Sequence, residues 1–249
     1  MMGNWLERTE LLLGEQSLER LKNSHVLIVG LGGVGAFAAE AICRSGVGRL
    51  TIADGDVIQP SNINRQLIAL NSTIGMRKAE VVGNRLLDIN PSLQLRVIDE
   101  YLRDERLKEL VAEPYDYVVD AIDTLSPKVF LIMDAVRSGH RIVSSMGAGG
   151  KMDPSKIQVA DISKSHSCRL AYMVRKRLHR QGIRRGVNVV FSPEEVDGEA
   201  ILHTPGETNK LTTVGTISYM PALFGLTVAS VVIRQLIEPM DDSVKDLNE

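Results

Sequence analysis

Cysteine is scarce: the 249 residues hold two, Cys43 and Cys168. Two thiols cannot build a disulfide scaffold. Neither stands in a C-x-x-C pair, so a four-thiolate zinc site is excluded. Net charge is nearly absent as well, at −2, so overall charge names no partner and any basic surface has to be local. No internal repeat or low-complexity tract breaks the chain. The opening MMGNWLERTE carries acids and lacks a long apolar core, so no secretory signal is visible. A reducing, cytoplasmic setting follows as the default.

One uncharged stretch, residues 213–233, calls for a membrane test. Thr213, Thr216, Ser218, Tyr219 and Thr227 interrupt it, and Pro221 suits the first turn of a helix. A helix over residues 221–237 is about 25 Å long at ~1.5 Å per residue, marginal for a hydrocarbon core of about 30 Å. The spacing therefore predicts a buried helix, and membrane association is not expected.

What is present is apolar: 44% of residues are hydrophobic, enough for a substantial core. His25–Val29 (HVLIV) is a continuous apolar run ending in glycine, the pattern of a strand buried on both faces. Further strands are predicted at Arg49–Ala53, 93–98, 115–119 and 141–145. Helices are predicted over 34–45, 76–89 and 126–138, with short ones within 5–22. This alternation predicts a Rossmann-like α/β fold with a doubly wound, mostly parallel sheet. After Gly147 the pattern changes. A short strand at 157–160, a very basic helix at 168–181, a strand at 187–191, an irregular loop at 192–212 and the final helix are expected. The whole of 1–249 reads as one domain, with a nucleotide-binding core at 20–150 and a C-terminal extension at 151–249 continuing it.

Gly30-Leu31-Gly32-Gly33-Val34-Gly35 spells G-x-G-x-x-G between a strand and a helix. Glycine lets the backbone turn tightly and approach a phosphate, and the helix N-terminus offers free N–H groups. Asp54 ends the next strand, where a carboxylate can bind ribose hydroxyls. These features alone fit NAD, FAD, S-adenosylmethionine or ATP. The following segment discriminates. Asp54, Asp56, Ser61, Asn62, Asn64, Arg65 and Gln66 crowd into one loop, and Lys78 opens the next helix. Arg65 and Lys78 can hold a triphosphate and the charge that develops on it. Asp123, after the fourth strand in DAIDT, can hold Mg²⁺ through phosphates, with Thr124 beside it.

GLGGVG, DGDVIQPSNINRQ, GMRKA and VVDAIDT together resemble the E1-like (ThiF-type) adenylating domain. That domain occurs in ubiquitin-activating enzymes and in the bacterial activators of thiamine and molybdopterin sulfur carriers. The match spans roughly residues 20–150. The resemblance implies ribose binding by Asp54, ATP phosphates lined by Ser61 to Arg65 and by Lys78, and Mg²⁺ supported by Asp123. It also implies a homodimer and leaves open a sulfur-transfer partner protein. Two departures refine it. The paired zinc cysteines of the sulfur-carrier activators are absent, and Arg8 is followed by Leu11 and Leu12 where many members place an arginine finger. Residues 145–183 are similar to the tRNA threonylcarbamoyladenosine dehydratase branch. Some members of that branch carry a late cysteine near residues 209–214; this chain has none there.

The basic run supports that branch independently. Arg175, Lys176, Arg177, Arg180, Arg184 and Arg185 fall in a stretch with no acid from 162 to 193, a local footprint for tRNA. His166 and Cys168 sit beside it; without a visible activating base the thiol reads as unreactive. Cys43 and His25 read as packing residues. The resemblance implies ATP-dependent dehydration of the threonylcarbamoyl side chain on adenosine 37 of tRNA, with Arg65, Lys78 and Asp123 as the catalytic set. The alternatives are adenylation of a ubiquitin-fold carrier, nicotinamide-dependent reduction, and a tRNA-binding module that consumes no ATP.

Overall fold

The computed structural model describes residues 5–207 and 210–238. Residues 1–4, read above for a secretory signal, lie outside it, as do Asn209 and the end of the C-terminal extension. Helices α1 (Glu7–Leu13) and α2 (Glu15–Asn23) lead into β1 (His25–Val29). Then follow α3 (Gly35–Arg44), β2 (Arg49–Ala53), α4 (Lys78–Ile89), β3 (Gln94–Ile98), α5 (Asp104–Val111), β4 (Tyr117–Asp120), α6 (Leu125–Arg137) and β5 (Ile142–Ser145). The second half adds β6 (Gln158–Asp161), α7 (Arg169–Arg180), β7 (Asn188–Phe191), β8 (Ile201–Glu207), β9 (Lys210–Val214) and α8 (Tyr219–Ile237).

The main sheet has the order β3-β2-β1-β4-β5-β7-β6. All neighbours run parallel except β6, which is antiparallel to β7. Chain order reverses between β1 and β4, the place where doubly wound sheets open a crevice at their carboxyl ends. Alternate strand residues feed the two faces. Val26, Ile28, Leu50 and Ile52 pack under α3, α4 and α8, while Leu27, Val29, Val118 and Ile142 pack under α5, α6 and α7. Both faces are covered, which is why β1 reads as an unbroken apolar run.

Three elements differ from the sequence reading. Helix α5 has only two turns, with Leu107, Leu110 and Val111 buried, too short to show a period. Where the sequence predicts an irregular loop over 192–212, β8 pairs antiparallel with β9. The register of this pair shifts between His203 and Glu207, an interval containing Pro205, which has no N–H to donate and breaks the alternation. Helix α8 starts two residues before Pro221. It is the one described helix long and apolar enough to cross a membrane, but half of its apolar window is buried in the protein.

Candidate active site

The loops following β1, β2, β4 and β5 meet at the carboxyl edge of the sheet. Within the glycine loop the four glycines do different work. Gly30 has φ +91°, and a Cβ there would lie 2.7 Å from the Ala121 carbonyl oxygen. A Cβ on Gly35 would lie 1.7 Å from the Gly30 oxygen. Gly33 faces Pro221 at the start of α8 and the Arg65 carbonyl. These three are required by the chain's own packing. Gly32 is not: a Cβ there would meet only the Gln66 amide, at an ordinary 3.6 Å. Gln66 Oε1 is the one buried side-chain polar atom without a hydrogen-bond partner among the described residues. A small space beside Gly32, bordered by the Gln66 amide nitrogen, and an unpartnered oxygen on that same amide are what a bound ligand would explain.

Asp54 braces this loop. Its Oδ2 accepts from Leu31 N at 2.6 Å and its Oδ1 from Asp56 N at 2.8 Å. Burial raises its carboxyl pKa, and the opposing pull of Lys78 and of the two N–H groups does not fully offset this. Lys78, 6% exposed, opens α4 and donates to Asp56 Oδ2 at 2.7 Å. The Tyr101 hydroxyl donates to the other Asp56 oxygen. The sequence brought Asp54, Asp56 and Lys78 together correctly but did not point to Tyr101, which arrives from beyond β3. Neighbouring Arg77 is tied to Asp99 at 2.6 Å.

The 59–67 loop is folded on itself. Asn62 Oδ1 accepts from Gln59 N at 3.0 Å, and Arg65 Nη1 donates to the Ser61 carbonyl and to Asn64 Oδ1, both at 2.8 Å. Asn64 Nδ2 in turn reaches the Thr216 carbonyl at 3.0 Å, joining this loop to the entry of α8. Arg65, Asn64, Gln66, Phe37 and Ser218 line a cleft of about 190 Å³. The side chains of Asn62 and Asn64 are thus engaged within the protein, while Ser61 is exposed.

After β4, Asp123 is exposed and Thr124 sits at the N-terminus of α6. Beneath them Asp120 and Lys128 form a fully buried pair at 2.6 Å. Burial raises the Asp120 carboxyl pKa, partly countered by Lys128, Ser144 and Ile122 N. The sequence reading did not single out Lys128; its signal was a lone cation between Pro127 and the apolar VFLI run. No cluster of three or more His, Cys, Asp or Glu able to hold a metal occurs among the described residues. Mg²⁺ fits here only in the manner usual for it with nucleotides, through one or two carboxylates and the phosphates themselves.

The basic run is divided by the fold. Arg175 Nη1 donates to the Ser165 carbonyl and hydroxyl, both at 2.6 Å, so this guanidinium closes the turn before α7. Arg177 is exposed and reaches Ser126 Oγ at 2.8 Å. Lys176, Arg180, Arg184 and Arg185 are exposed, as is Tyr172 on the same helix. Helix α7 ends at Arg180, and Gly182 (φ +81°) turns the chain, so Arg184 and Arg185 lie on the loop leading to β7. The helix begins beside Gly147 at the carboxyl edge and its basic end lies toward the amino edge, where β7 starts.

The remaining candidates are packed within the protein. Cys43 is buried in α3, its thiol pushed up to about 11 by burial. Cys168 is buried at the start of α7, near the buried Lys151, whose ammonium donates to the Glu194 carbonyl. His25 pairs with Thr51 at 2.9 Å and packs on Tyr115. A second cleft, of about 810 Å³, is elsewhere: Glu15, Glu19, Arg20, Asp116 and Arg141 line it at the amino edge of the sheet.

The model of the ThiF family matches residues 6–248. The chain is 38% identical to the tRNA threonylcarbamoyladenosine dehydratase of Bacillus subtilis (strain 168), over 96% of this chain and 97% of that one. It superposes with a TM-score of 0.83 on the crystal structure of the Escherichia coli tRNA N6-threonylcarbamoyladenosine dehydratase in complex with ATP, at 33% identity and 98% coverage of both chains. The molybdopterin-synthase adenylyltransferase of Escherichia coli (strain K12) is 40% identical, but over only 43% of each chain.

Proposed function

The chain belongs to the ThiF family, in the branch of the tRNA threonylcarbamoyladenosine dehydratases, and from that premise we infer that it is an ATP-dependent enzyme acting on threonylcarbamoyladenosine 37 of tRNA. A carboxylate is a poor electrophile until one oxygen becomes part of a good leaving group. Attack of the side-chain carboxylate on the α-phosphorus of ATP releases pyrophosphate and leaves an acyl-adenylate. A nitrogen of the same side chain then attacks the acyl carbon and gives up its proton to solvent. AMP departs with the electron pair of the broken C–O bond, and the net change in the nucleoside is loss of one water. Ring closure within one side chain has a high effective molarity, so the protein has little to do in the second step beyond holding the chain folded.

The observation that carries this reading on the protein side is the space at Gly32 beside the Gln66 amide, whose oxygen has no partner, in the same set of loops that holds Arg65 and the Asp54, Asp56 and Lys78 group. Asp54, already accepting from Leu31 N of the glycine loop and from Asp56 N of its own loop, keeps further lone pairs for the ribose hydroxyls. Arg65 and Lys78 stabilise the charge that grows on the α-phosphate as pyrophosphate leaves. Asp123 supports Mg²⁺, which when bound neutralises phosphate charge. Lys176, Arg177, Arg180, Arg184 and Arg185 follow tRNA phosphates down the flank of the sheet, with Tyr172 nearer the reacting edge. Arg175, spent on the Ser165 turn, is left out of that footprint.

The test is mass spectrometry of nucleosides from threonylcarbamoylated tRNA incubated with the protein and ATP. The expected product is the starting nucleoside less one water, with pyrophosphate released in step. Pyrophosphate release triggered by a ubiquitin-fold carrier and not by tRNA would overturn the reading. Reversing Arg177 and Arg180 to Glu should weaken tRNA binding and leave ATP affinity unchanged. Each lost phosphate contact should lower the magnitude of the log–log salt slope by about 0.7–0.9. An unchanged slope returns α7 to an ordinary solvated helix.

A further inference from the structure

We propose that Lys128 is a positioning residue for the metal side of the site, acting through Asp120 to hold the loop that presents Asp123 and Thr124. The inference rests on reading Asp123 as the carboxylate that supports Mg²⁺.

Lys128 and Asp120 have no exposed side-chain surface. The three ammonium protons of Lys128 meet acceptors on two different strands: Asp120 Oδ2 at 2.6 Å on β4, and Ser144 Oγ at 3.2 Å and the Ser145 carbonyl at 2.9 Å on β5. Ser144 Oγ donates its own proton to the same Asp120 oxygen. The other oxygen, Asp120 Oδ1, accepts from Ile122 N at 3.1 Å, and Ile122 immediately precedes Asp123. At the far end of the loop, Lys128 N donates to the Thr124 carbonyl at 3.3 Å. One lysine therefore grips the 121–124 loop twice, once through its own backbone and once through Asp120.

Stability alone does not account for such a pair. Desolvating two ions costs about as much as their attraction returns, and apolar residues of equal volume are often as good or better. The surrounding core supplies that alternative, since Val129, Leu131 and Ile132 of the same helix are buried. What an apolar side chain cannot do is fix two strand ends and a loop in one register. The loop so fixed carries the single carboxylate assigned to the metal side. Partners of this outer kind typically change metal affinity by about 10–100-fold when removed.

The test uses Lys128→Met and Ser144→Ala, with Asp123→Asn as reference. Calorimetry gives the affinity for ATP with and without Mg²⁺, and turnover gives the Mg²⁺ concentration at half-maximal rate. We expect metal-free ATP affinity to stay at the wild-type value in Lys128→Met and Ser144→Ala. The gain conferred by Mg²⁺ should shrink about 10–100-fold in Lys128→Met. Ser144→Ala, which keeps the ion pair and loses the bonds of Ser144 Oγ to Asp120 and from Lys128, should shift in the same direction by a smaller factor, about threefold, or ~0.5–1 kcal/mol. Wild-type Mg²⁺ dependence in folded Lys128→Met overturns the proposal. Should that variant not fold, an unshifted Ser144→Ala overturns it equally. If Asp123→Asn shifts while the other two do not, this inference alone fails. If Asp123→Asn keeps full Mg²⁺ dependence, the reading of Asp123 fails and takes this inference with it.

Discussion

The two edges of the main sheet are built from similar materials and arranged to opposite ends. At the amino edge, polar groups close on one another. Arg141 donates to the Gln235 carbonyl at 2.6 Å, Arg20 reaches the Ile237 carbonyl, Tyr117 donates to Gln235 at 2.6 Å, and Asp116 accepts from His25 N at 2.7 Å. The two arginine bonds satisfy carbonyls in the last turn of α8, which no residue further along the helix can reach. At the carboxyl edge, Gly32 keeps a space, Gln66 keeps an unused oxygen, and Asp123 stands exposed. The cleft of about 810 Å³ nevertheless lies at the amino edge, and the one of about 190 Å³ at the carboxyl edge. Volume there comes from the splay between helices, whereas chemistry collects where the strand order reverses and four loops converge.

Substitutions at the two edges should separate rate from stability. Lys78→Ala, at the carboxyl edge, should lower turnover at saturating ATP by about 10²–10³-fold while a cooperative thermal transition is retained. Asp123→Ala should do the same; near-normal turnover in either removes that residue from the chemistry. Arg141→Ala, at the amino edge, should cost about 1–3 kcal/mol in denaturant melts through its lost charged hydrogen bonds. ATP affinity and turnover per folded molecule should not change. Lost turnover in a fully folded Arg141→Ala would break the comparison.

A narrower contrast lies inside the glycine loop. Gly32→Ala should fold normally, because its Cβ meets only an ordinary contact, yet bind ATP about tenfold more weakly through the crowding of one added methyl. Gly35→Ala should fail to fold, with its Cβ 1.7 Å from a carbonyl oxygen. Undiminished ATP affinity in Gly32→Ala would show that no ligand uses that space. The smallest effect concerns alkaline pH at the amino edge. Burial pushes the Tyr117 phenol up to about 12 from its ordinary 10.0. The folded value is the higher one, so the stability linked to the neutral phenol is complete below pH 10 and is lost as pH rises toward 12. Denaturant melts of Tyr117→Phe against wild type across that window should show a shallower decline in the variant.

The sequence made some of this readable and hid the rest for physical reasons. β1 and β2 were legible to the residue because both faces are buried and the apolar run needs no partner to be recognised. The nucleotide loops were legible because their residues are adjacent in the chain. The different jobs of Gly30, Gly32 and Gly35 were not, since only the path of the 121–122 backbone and of Gln66 tells them apart. Arg175 and Arg177 look alike in sequence, yet one is spent on the Ser165 turn and the other faces outward. Lys128 was invisible for the same reason: its partners at 120, 144 and 145 come together only when β4 and β5 pair.

Helix α8 has a consequence for the order of events during synthesis. It packs on α2, α3, β4, β5 and β7, and thus roofs one face of the central strands. Those strands are complete, apart from β7, when Ser145 leaves the ribosome, but Ile237 lies 92 residues further on, 237 minus 145. At about 5–20 residues per second the roof arrives roughly 5–20 seconds after the strands it covers. For that interval Val119 and Val143, and later Val190, lack their native cover on that side. A nascent chain halted before Tyr219 should be held by chaperones that bind apolar surface, and one extended past Ile237, with its end clear of the exit tunnel, should be released.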